Sequence, residues 1–229
     1  MANNDTINRV YTSIRTNWMH PIKTLEHFHI LWLKAGRAEE VFFGQSYRWM
    51  IDNIRPNTTV IDIGANIGDT AIYFAQFKEV KRVVAYEPVP FAYNLMVKQV
   101  KESGLKNKII TRNMALSAKI RQFIAPIGRK DVIGFNAEQL RLKDGIKIKA
   151  ITLAEALKGK KNVAIKCDCE GAEEQLFNNV DIKNVYMIMV EWHGERSRRA
   201  VRRVLIGSKY RIVKDGPGHG HQGYICAKR

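Results

Sequence analysis

The sequence predicts an α/β fold built around a parallel sheet. Apolar stretches rich in β-branched residues recur along the chain, and segments with a helical spacing of apolar residues separate them. The length agrees, because 229 residues suit one domain with a large core plus a small addition. We therefore expect an N-terminal helical extension or lid over residues 1–57 and a single α/β domain over residues 58–229.

The stretch from Thr59 to Thr70 (TVIDIGANIGDT) predicts a buried strand, a tight turn and the start of a helix. Gly64 and Gly68 let the backbone approach a ligand, and Asn66 between them tolerates a left-handed backbone. The N–H groups at the start of the helix point at such a ligand. The stretch therefore predicts a nucleotide cradle.

An acidic residue ends the next predicted strand, which reads VVAYEP over residues 83–88. Glu87 lies nineteen positions after Gly68, where a carboxylate can accept hydrogen bonds from both ribose hydroxyls. The glycine spacing is G-x-N-x-G-D, whereas a dinucleotide site needs G-x-G-x-x-G, and Asp62 lies two positions before the first glycine. The pattern D-x-G-x-N-x-G resembles motif I of S-adenosylmethionine (SAM) methyltransferases.

The turn after the third predicted strand (residues 108–111) is the candidate site for adenine. If the first three strands are parallel neighbours, this turn lies beside the base. The Asn113 side chain or the Met114 backbone is then placed to read it, and a plain loop is the alternative.

Two later strands place charged residues at the same predicted edge of the sheet. Lys166, Asp168 and Glu170 follow a buried strand at a period of two, and the next strand, residues 185–190, is followed by Glu191 and His193. Ligands of open α/β sheets bind at the carboxyl ends of the strands. We therefore expect these side chains to line one crevice.

Residues 118–150 interrupt the alternation of strands and helices. They predict short strands or a flap at 120–127, 132–136 and 145–150, forming an insertion on the substrate side of the crevice. The basic residues of this insertion either contact an acidic substrate or form a solvated face. After it, Thr152 and Glu155 have the spacing of a capping box.

The net charge of +16, from 38 basic and 22 acidic residues, favours an anionic partner such as nucleic acid, a membrane surface or an acidic glycan. A solvated basic surface, including a predicted basic helix over residues 196–209, is the alternative. Three cysteines are too few for a disulfide framework, and no apolar run reaches the roughly 18–20 residues of a membrane span. With a polar start unlike a signal peptide, these features predict a cytoplasmic protein.

Together these motifs resemble the FkbM-type methyltransferases, a branch of the class I SAM-dependent enzymes. The resemblance lies in DIGANIGDT (62–70), YEP (86–88), ALS (115–117) and above all IKCDCEGAE (165–173), which matches the family pattern K-x-D-x-E-G-x-E. It implies a Rossmann-like sheet of seven strands with helices on both faces and a final antiparallel pair. It also implies SAM-dependent methyl transfer, mainly to hydroxyl oxygens of sugars, glycolipids or small molecules, without fixing the acceptor.

The resemblance suggests roles on the cofactor side of the site. The turn containing Gly64, Asn66 and Gly68 should hold the methionine part of SAM, with Asp62 organising the turn or contacting the amino group. Glu87 should hold the ribose.

On the acceptor side, Asp168 is the first candidate for the base or orienting group, followed by His193 and Glu191. A bound divalent cation is the other way to activate a hydroxyl, and Asp168, Glu170 and Glu191 are candidate magnesium ligands. The structural alternative is that these acids only pair with Lys166 and nearby basic groups.

Two other functions remain open at this stage. An RNA methyltransferase would account for the positive charge, although the sequence shows no appended RNA-binding motif and no N-P-P-Y-like signature. A non-catalytic, basic SAM-binding module would bind the cofactor without turnover. A NAD-dependent oxidoreductase is disfavoured by the glycine spacing.

Overall fold

The computed structural model describes residues 47–117, 122–125, 146–177, 180–217 and 222–229. The predicted helices within residues 1–46 and the predicted strand at 132–136 lie outside this range. The helices are α1 (Arg48–Asp52), α2 (Asp69–Ala75), α3 (Pro90–Glu102), α4 (Leu153–Leu157), α5 (Glu173–Leu176) and α6 (Glu195–Gly207). The strands are β1 (Thr58–Ile63), β2 (Val80–Tyr86), β3 (Ile109–Arg112), β4 (Ala115–Leu116), β5 (Gln122–Ala125), β6 (Ile146–Ile151), β7 (Val163–Cys167), β8 (Val185–His193), β9 (Arg211–Pro217) and β10 (Gln222–Lys228).

The main sheet of the described residues has seven strands in the order β3-β2-β1-β7-β8-β10-β9. Neighbours from β3 through β8 are parallel, and β10 runs antiparallel to both β8 and β9. This confirms the predicted sheet with its final antiparallel pair. The chain reverses its direction of travel across the sheet between β1 and β7, and such a switch point opens a crevice at the carboxyl ends of the two strands.

Apolar layers cover both faces of the sheet, because successive residues of a buried strand point to opposite sides. Within β1, Val60 packs into one layer and Ile61 into the other, and both are fully buried. The first layer includes Met50 of α1, Phe74 of α2 and Met96 of α3. The second layer includes residues of the other three helices, among them Leu153, Leu176 and Val201. Helices on both faces are therefore confirmed.

The described part of the predicted N-terminal extension packs directly on the sheet. Met50 is fully buried in the first layer, and Tyr47 is 5% exposed. The Tyr47 ring lies 6.4 Å from the ring of Tyr73 and 5.9 Å from that of Phe74, centroid to centroid. Residues 47–54 thus contribute to the core of the α/β domain.

A small second sheet is formed by strands that follow β3 in the chain. It has the order β4-β6-β5, with β4 parallel and β5 antiparallel to β6. The strands predicted near residues 120–127 and 145–150 are therefore confirmed. The capping box is also confirmed, since Thr152 Oγ1 accepts from the Glu155 N–H at 3.1 Å and Glu155 Oε2 accepts from the Thr152 N–H at 2.7 Å.

The predicted end of β8 at residue 190 is wrong. The strand continues through His193, because β10 pairs with it there: Glu191 lies opposite Tyr224, and His193 lies opposite Gln222. The antiparallel partner satisfies the backbone and extends the strand, so Glu191 and His193 are strand residues rather than loop residues. No helix among the described residues is both long enough and apolar enough to cross a membrane.

Candidate active site

The glycine turn joins β1 to α2 at the switch point. Gly64, Asn66 and Gly68 all have positive φ angles, of 73°, 47° and 90°, so the predicted left-handed conformation of Asn66 is confirmed. A Cβ atom on Gly64 would lie 1.8 Å from the backbone oxygen of Asp168, and one on Gly68 would lie 2.7 Å from Cγ of Met96. The glycines are therefore required for packing within the protein, in addition to any ligand.

A buried ion pair lies beneath the turn. Lys166 Nζ is 3.2 Å from Asp62 Oδ1 and donates to the Gly64 carbonyl at 3.0 Å, and the two side chains are 3% and 0% exposed. Asp62 Oδ2 accepts from the Thr70 hydroxyl at 2.6 Å. Burial lowers the pKa of Lys166, but the Asp62 carboxylate and neighbouring aspartates outweigh it and raise the pKa above the ordinary value. The Asp62 side chain therefore connects β1 to the start of α2, and Lys166 connects the Asp62 carboxylate to the turn.

Glu87 lies at the tip of β2, beside the turn, where the sequence places a ribose-binding carboxylate. It is 6% exposed, and it accepts from the Asn66 N–H at 2.9 Å and from the Val89 N–H at 2.8 Å. Burial raises the pKa of Glu87 to about 7, although these two N–H donors act in the opposite direction. The contact with ribose stays a prediction.

Asn113 follows β3 and holds the neighbouring connection in place. Its Nδ2 donates to the carbonyls of Glu87 and Pro88 at 2.9 and 3.0 Å, which uses both hydrogens of the amide within the protein. Met114 is partly buried against the second apolar layer. Recognition of adenine by these two residues stays a prediction.

Two carboxyl groups from neighbouring strands meet on the other side of the switch point. Asp168 follows β7, its N–H donates to the Ile63 carbonyl at 3.0 Å, and its Oδ1 is buried with no hydrogen-bond partner among the described residues. Glu191 of β8 is 4% exposed. Burial, followed by the charge of Asp168, raises the pKa of Glu191 to about 7, against the charge of His193 and a hydrogen bond from Tyr224. Two neighbouring strands thus bring a carboxyl group each to this edge of the sheet, as predicted, and their joint role in a crevice stays a prediction.

His193 lies between two glutamates from the segment after β7. Its Nδ1 is 3.1 Å from Glu173 Oε1, and its Nε2 is 3.3 Å from Glu170 Oε2. Burial lowers the pKa of His193, but the hydrogen bond and charge of Glu173, together with the charges of Glu170 and Asp168, raise it to about 9. The imidazole is therefore charged at neutral pH.

The structure also changes the set of candidate metal ligands. One potential ligand atom from each of Asp168, Glu170 and His193 lies within 4.8 Å of the others, whereas Glu191 is outside this group. Side chains of this kind often cluster without an ion, and here an ion pair accounts for two of the three. The cluster alone does not indicate a metal.

Sequence reasoning missed several side chains that belong to this edge. Burial raises the pKa of Tyr47 well above its ordinary value, and the charges of Asp168 and Glu191 add to this. In the sequence, Tyr47 belongs to an apolar helical pattern, which predicts a core residue rather than a site residue. Glu173 is the last residue of the K-x-D-x-E-G-x-E motif, and only the pairing of β10 with β8 reveals Tyr224.

The predicted basic helix is α6, and several of its arginines are paired with acids. Arg198 lies 2.8 Å from Asp215, and Arg202 contacts the same carboxylate. Arg196 lies 2.9 Å from Glu174, and Arg199 lies 3.6 Å from Glu195. These pairs reduce the positive potential of the helix, so its arginine count alone does not indicate a nucleic-acid site.

The sheet order, the glycine turn and Glu87 beside it are features of the class I SAM-dependent methyltransferases. The chain belongs to the FkbM family of this class, because the Methyltransferase FkbM domain matches residues 62–212. The family resemblance seen in the sequence is thereby confirmed. No curated protein matches the chain significantly.

Several solved structures are similar to the chain at low sequence identity. A protein of the NADB-Rossmann superfamily from Streptococcus agalactiae is 17% identical, with a TM-score of 0.50 over 80% of this chain and 67% of that one. TrmK from M. capricolum, in complex with S-adenosyl-homocysteine, is 16% identical with a TM-score of 0.46, covering 79% of this chain and 66% of that one. Precorrin-6y C5,15-methyltransferase from Geobacter metallireducens is 12% identical with a TM-score of 0.47, covering 86% and 88%. The chain spans about two thirds of the length of the first two, and the likeness to the first concerns the fold alone.

Proposed function

We propose that this enzyme transfers the methyl group of SAM to a hydroxyl oxygen of a sugar, a glycolipid or another small molecule. The observation that supports this most is the pair of carboxyls formed by Asp168, directly after β7, and Glu191, in the neighbouring β8. A hydroxyl is a poor nucleophile at neutral pH and must lose its proton during methyl transfer. A carboxylate at this edge can accept that proton.

The chemistry of the crevice fits SAM, which is positively charged at its sulfonium and at its amino group. The carboxyls of Glu87, Asp168 and Glu191 lie around the turn, and the buried Asp168 Oδ1 has no hydrogen-bond partner among the described residues. Such a concentration of negative charge favours a cationic ligand. In this assignment the turn holds the methionine part, Glu87 holds the ribose, and the loop at Asn113 and Met114 lies beside the adenine.

Bound SAM supplies a methyl group activated by the positive sulfur. The residues of the chain then orient the acceptor in line with that methyl and receive its proton. Asp168 is the first candidate to receive it. Glu191 is the second, since a pKa of about 7 suits a base at neutral pH. His193 carries a proton already, because its pKa is about 9, and therefore acts as a cation that stabilises negative charge on the acceptor oxygen.

The charge of the described crevice also bears on the acceptor. Asp168, Glu170 and Glu191 are concentrated there, and the amine of Lys166 is occupied by Asp62. A neutral or amine-bearing acceptor suits this edge better than an anionic one. A polyhydroxylated sugar therefore fits better than a nucleic-acid phosphate.

Titration calorimetry with SAM, S-adenosylhomocysteine and NAD tests the cofactor assignment. We expect micromolar binding of SAM and S-adenosylhomocysteine, no binding of NAD, and weaker SAM binding by Glu87→Ala. Asp181→Ala serves as a control, because Asp181 is exposed and, within the described part of the chain, contacts the side chain and N–H of the surface residue Lys183. Folded wild-type protein that does not bind SAM would refute the proposal.

A screen of neutral sugars, amino sugars, glycolipids and RNA then tests the acceptor, with methyl transfer measured from labelled SAM. We expect turnover on a hydroxyl-bearing small molecule, and loss of that turnover in Asp168→Asn with a much smaller loss of SAM affinity. Parallel assays with EDTA detect a requirement for a divalent cation. Turnover on RNA alone, with steep salt dependence, would support the RNA methyltransferase instead.

A further inference from the structure

Glu173 is a charged side chain buried near the carboxyl ends of β7 and β8, where the acceptor is proposed to bind, and its contacts connect three segments. It is 0% exposed. Its Oε1 lies 3.1 Å from His193 Nδ1 and accepts from the Gly171 N–H at 3.0 Å, while its Oε2 accepts from the Ser197 hydroxyl at 2.9 Å. The thiol of Cys169 lies 3.7 Å from Oε1. One carboxylate thus joins the loop after β7, the end of β8 and the first turn of α6.

These contacts keep a buried acid ionised. Burial raises the pKa of Glu173, but the hydrogen bonds from His193, Gly171 and Ser197, together with the charge of His193, lower it below the ordinary value. An unpaired buried carboxylate would be costly, whereas one with several donors is stable as an anion. Glu173 therefore presents a fixed negative charge to His193.

The two nitrogens of His193 face different surroundings. Nδ1 faces the buried Glu173, whereas Nε2 lies 3.3 Å from Glu170, whose side chain is 26% exposed. The backbone places Glu170 there through a positive φ of 51°, followed by Gly171 at 102°. Rotating the ring by half a turn would remove Nδ1 from the carboxylate, so Glu173 fixes which nitrogen reaches the crevice.

We propose that Glu173 and Ser197 are positioning residues, which hold His193 so that its Nε2 faces the acceptor oxygen. Ser197 restrains the Glu173 carboxylate, and this carboxylate restrains the His193 ring. Glu170 contacts Nε2 until an acceptor replaces it. Methyl transfer would form the bond from the acceptor oxygen to the methyl carbon and break the bond from that carbon to sulfur, releasing S-adenosylhomocysteine. The acceptor proton would pass to a carboxylate at the edge, and Nε2–H would stabilise the partial negative charge on the oxygen as that proton leaves. This role rests on the proposed function, because it takes the acceptor to bind at this crevice.

The first test observes the ring directly and requires no acceptor. Protein labelled with ¹⁵N-histidine is studied by NMR at pH 7 with EDTA present, and His193→Gln assigns the signal. We expect a slowly exchanging, hydrogen-bonded Nδ1 proton in the wild type that is lost in Glu173→Gln. Glu174→Gln is the matched control, since this neighbour carries the same charge but pairs with Arg196 at the surface. An Nδ1 proton that survives unchanged in Glu173→Gln would overturn the proposal.

The second test separates positioning from general support of the fold. With an acceptor found in the screen, kcat for Glu173→Gln should fall about 10–100-fold, by analogy with the loss typical of residues that orient a metal-ligating histidine. The Kd for SAM should change by less than about twofold, as should KM for the acceptor. Equal losses of SAM affinity and kcat would indicate a merely structural role and contradict the proposal.

A substitution of Ser197 perturbs the site less than Glu173→Gln does. If Glu173→Gln does not fold, Ser197→Ala decides, because it retains the carboxylate and deletes one donor to it. We expect faster exchange of the Nδ1 proton and recovery in Ser197→Thr, which restores the hydroxyl. Unchanged exchange in Ser197→Ala would refute the positioning role. Failure of the wild type to bind SAM would instead refute the proposed function, while leaving the NMR result meaningful.

Discussion

Replacing Lys166 with methionine should strongly destabilise the protein. The substitution keeps an unbranched side chain, one atom shorter, but removes the ammonium that lies 3.2 Å from Asp62 Oδ1 and 3.0 Å from the Gly64 carbonyl. Asp62 is fully buried, so the variant leaves a buried carboxylate with the Thr70 hydroxyl as its remaining close partner among the described residues. Removing one partner of a buried ion pair typically costs about 3–5 kcal/mol.

The expected cost corresponds to a large shift in thermal stability. For a protein of this size, 1 kcal/mol shifts Tm by roughly 2–4 °C, so Lys166→Met should lower Tm by about 6–20 °C. Urea denaturation followed by circular dichroism measures the free energy of unfolding. Lys108→Met is a control, because the Lys108 ammonium is only partly buried and donates to two backbone carbonyls, each at 2.8 Å, instead of to an acid.

A double-mutant cycle then tests the cause. Asp62→Asn removes the charge and retains an oxygen that can accept from Thr70. Combined with Lys166→Met it should be less destabilising than the sum of the single changes, by about 1–3 kcal/mol. A cost below about 1 kcal/mol for Lys166→Met, or additive single changes, would refute the view that this pair holds the turn.

Three further outcomes are expected. Gly64→Ala should lower the free energy of unfolding by about 3 kcal/mol or more, because its Cβ would lie 1.8 Å from the Asp168 backbone oxygen. Gly159→Ala is the control: it has a similar φ of 71° and nothing within 4 Å of the added Cβ, so it should lower that free energy by only about 1–2 kcal/mol. Equal losses in urea denaturation would contradict this prediction. Glu87 and Glu191 each have a pKa of about 7 in the folded protein and near 4.5 in the unfolded chain. Their protonated forms therefore contribute fully to the stability of the ligand-free protein below pH 4.5, and this contribution is lost as pH rises through 7. Each contributes up to about 3 kcal/mol, so Tm should fall between pH 5 and 8, and a rising Tm would exclude this linkage. Thr152→Ala removes an N-cap and should cost about 1 kcal/mol by the same denaturation assay, with SAM binding unchanged.

The sheet and the cofactor half of the site could be predicted from local signals. The turn from Gly64 to Gly68 and the acid at Glu87 are close in sequence, and each has a pattern set by backbone geometry. The buried strands appear as apolar runs because both faces of a parallel sheet are covered. These features depend little on distant contacts, and the structure places them where the sequence predicts them.

The acceptor half depends on long-range pairing that the sequence does not display. Extension of β8 through His193 requires β10, which begins at Gln222. The hydrogen bond from Ser197 to Glu173 spans 24 residues, and no short motif predicts it. Tyr47 has an aromatic pattern typical of a core helix, and only in the packed chain do the charges of Asp168 and Glu191 raise its pKa. Tertiary contacts therefore decide what these residues do.

The two ends of the sheet differ in how they satisfy buried polar groups. At the amino end, the buried hydroxyls of Thr58 and Tyr186 bond to each other at 2.7 Å, and the Tyr186 hydroxyl also accepts from the Arg55 N–H at 2.9 Å, so no charge is buried in these contacts. At the carboxyl end, buried Glu87 and Glu191 each have a pKa raised by burial, which means that their ionised forms reduce the stability of the ligand-free protein. A cationic cofactor at that end would offset this cost, because it favours the ionised carboxylates. The buried charge is thus concentrated where a ligand can compensate for it, which is the arrangement expected of a binding edge rather than of a structural core.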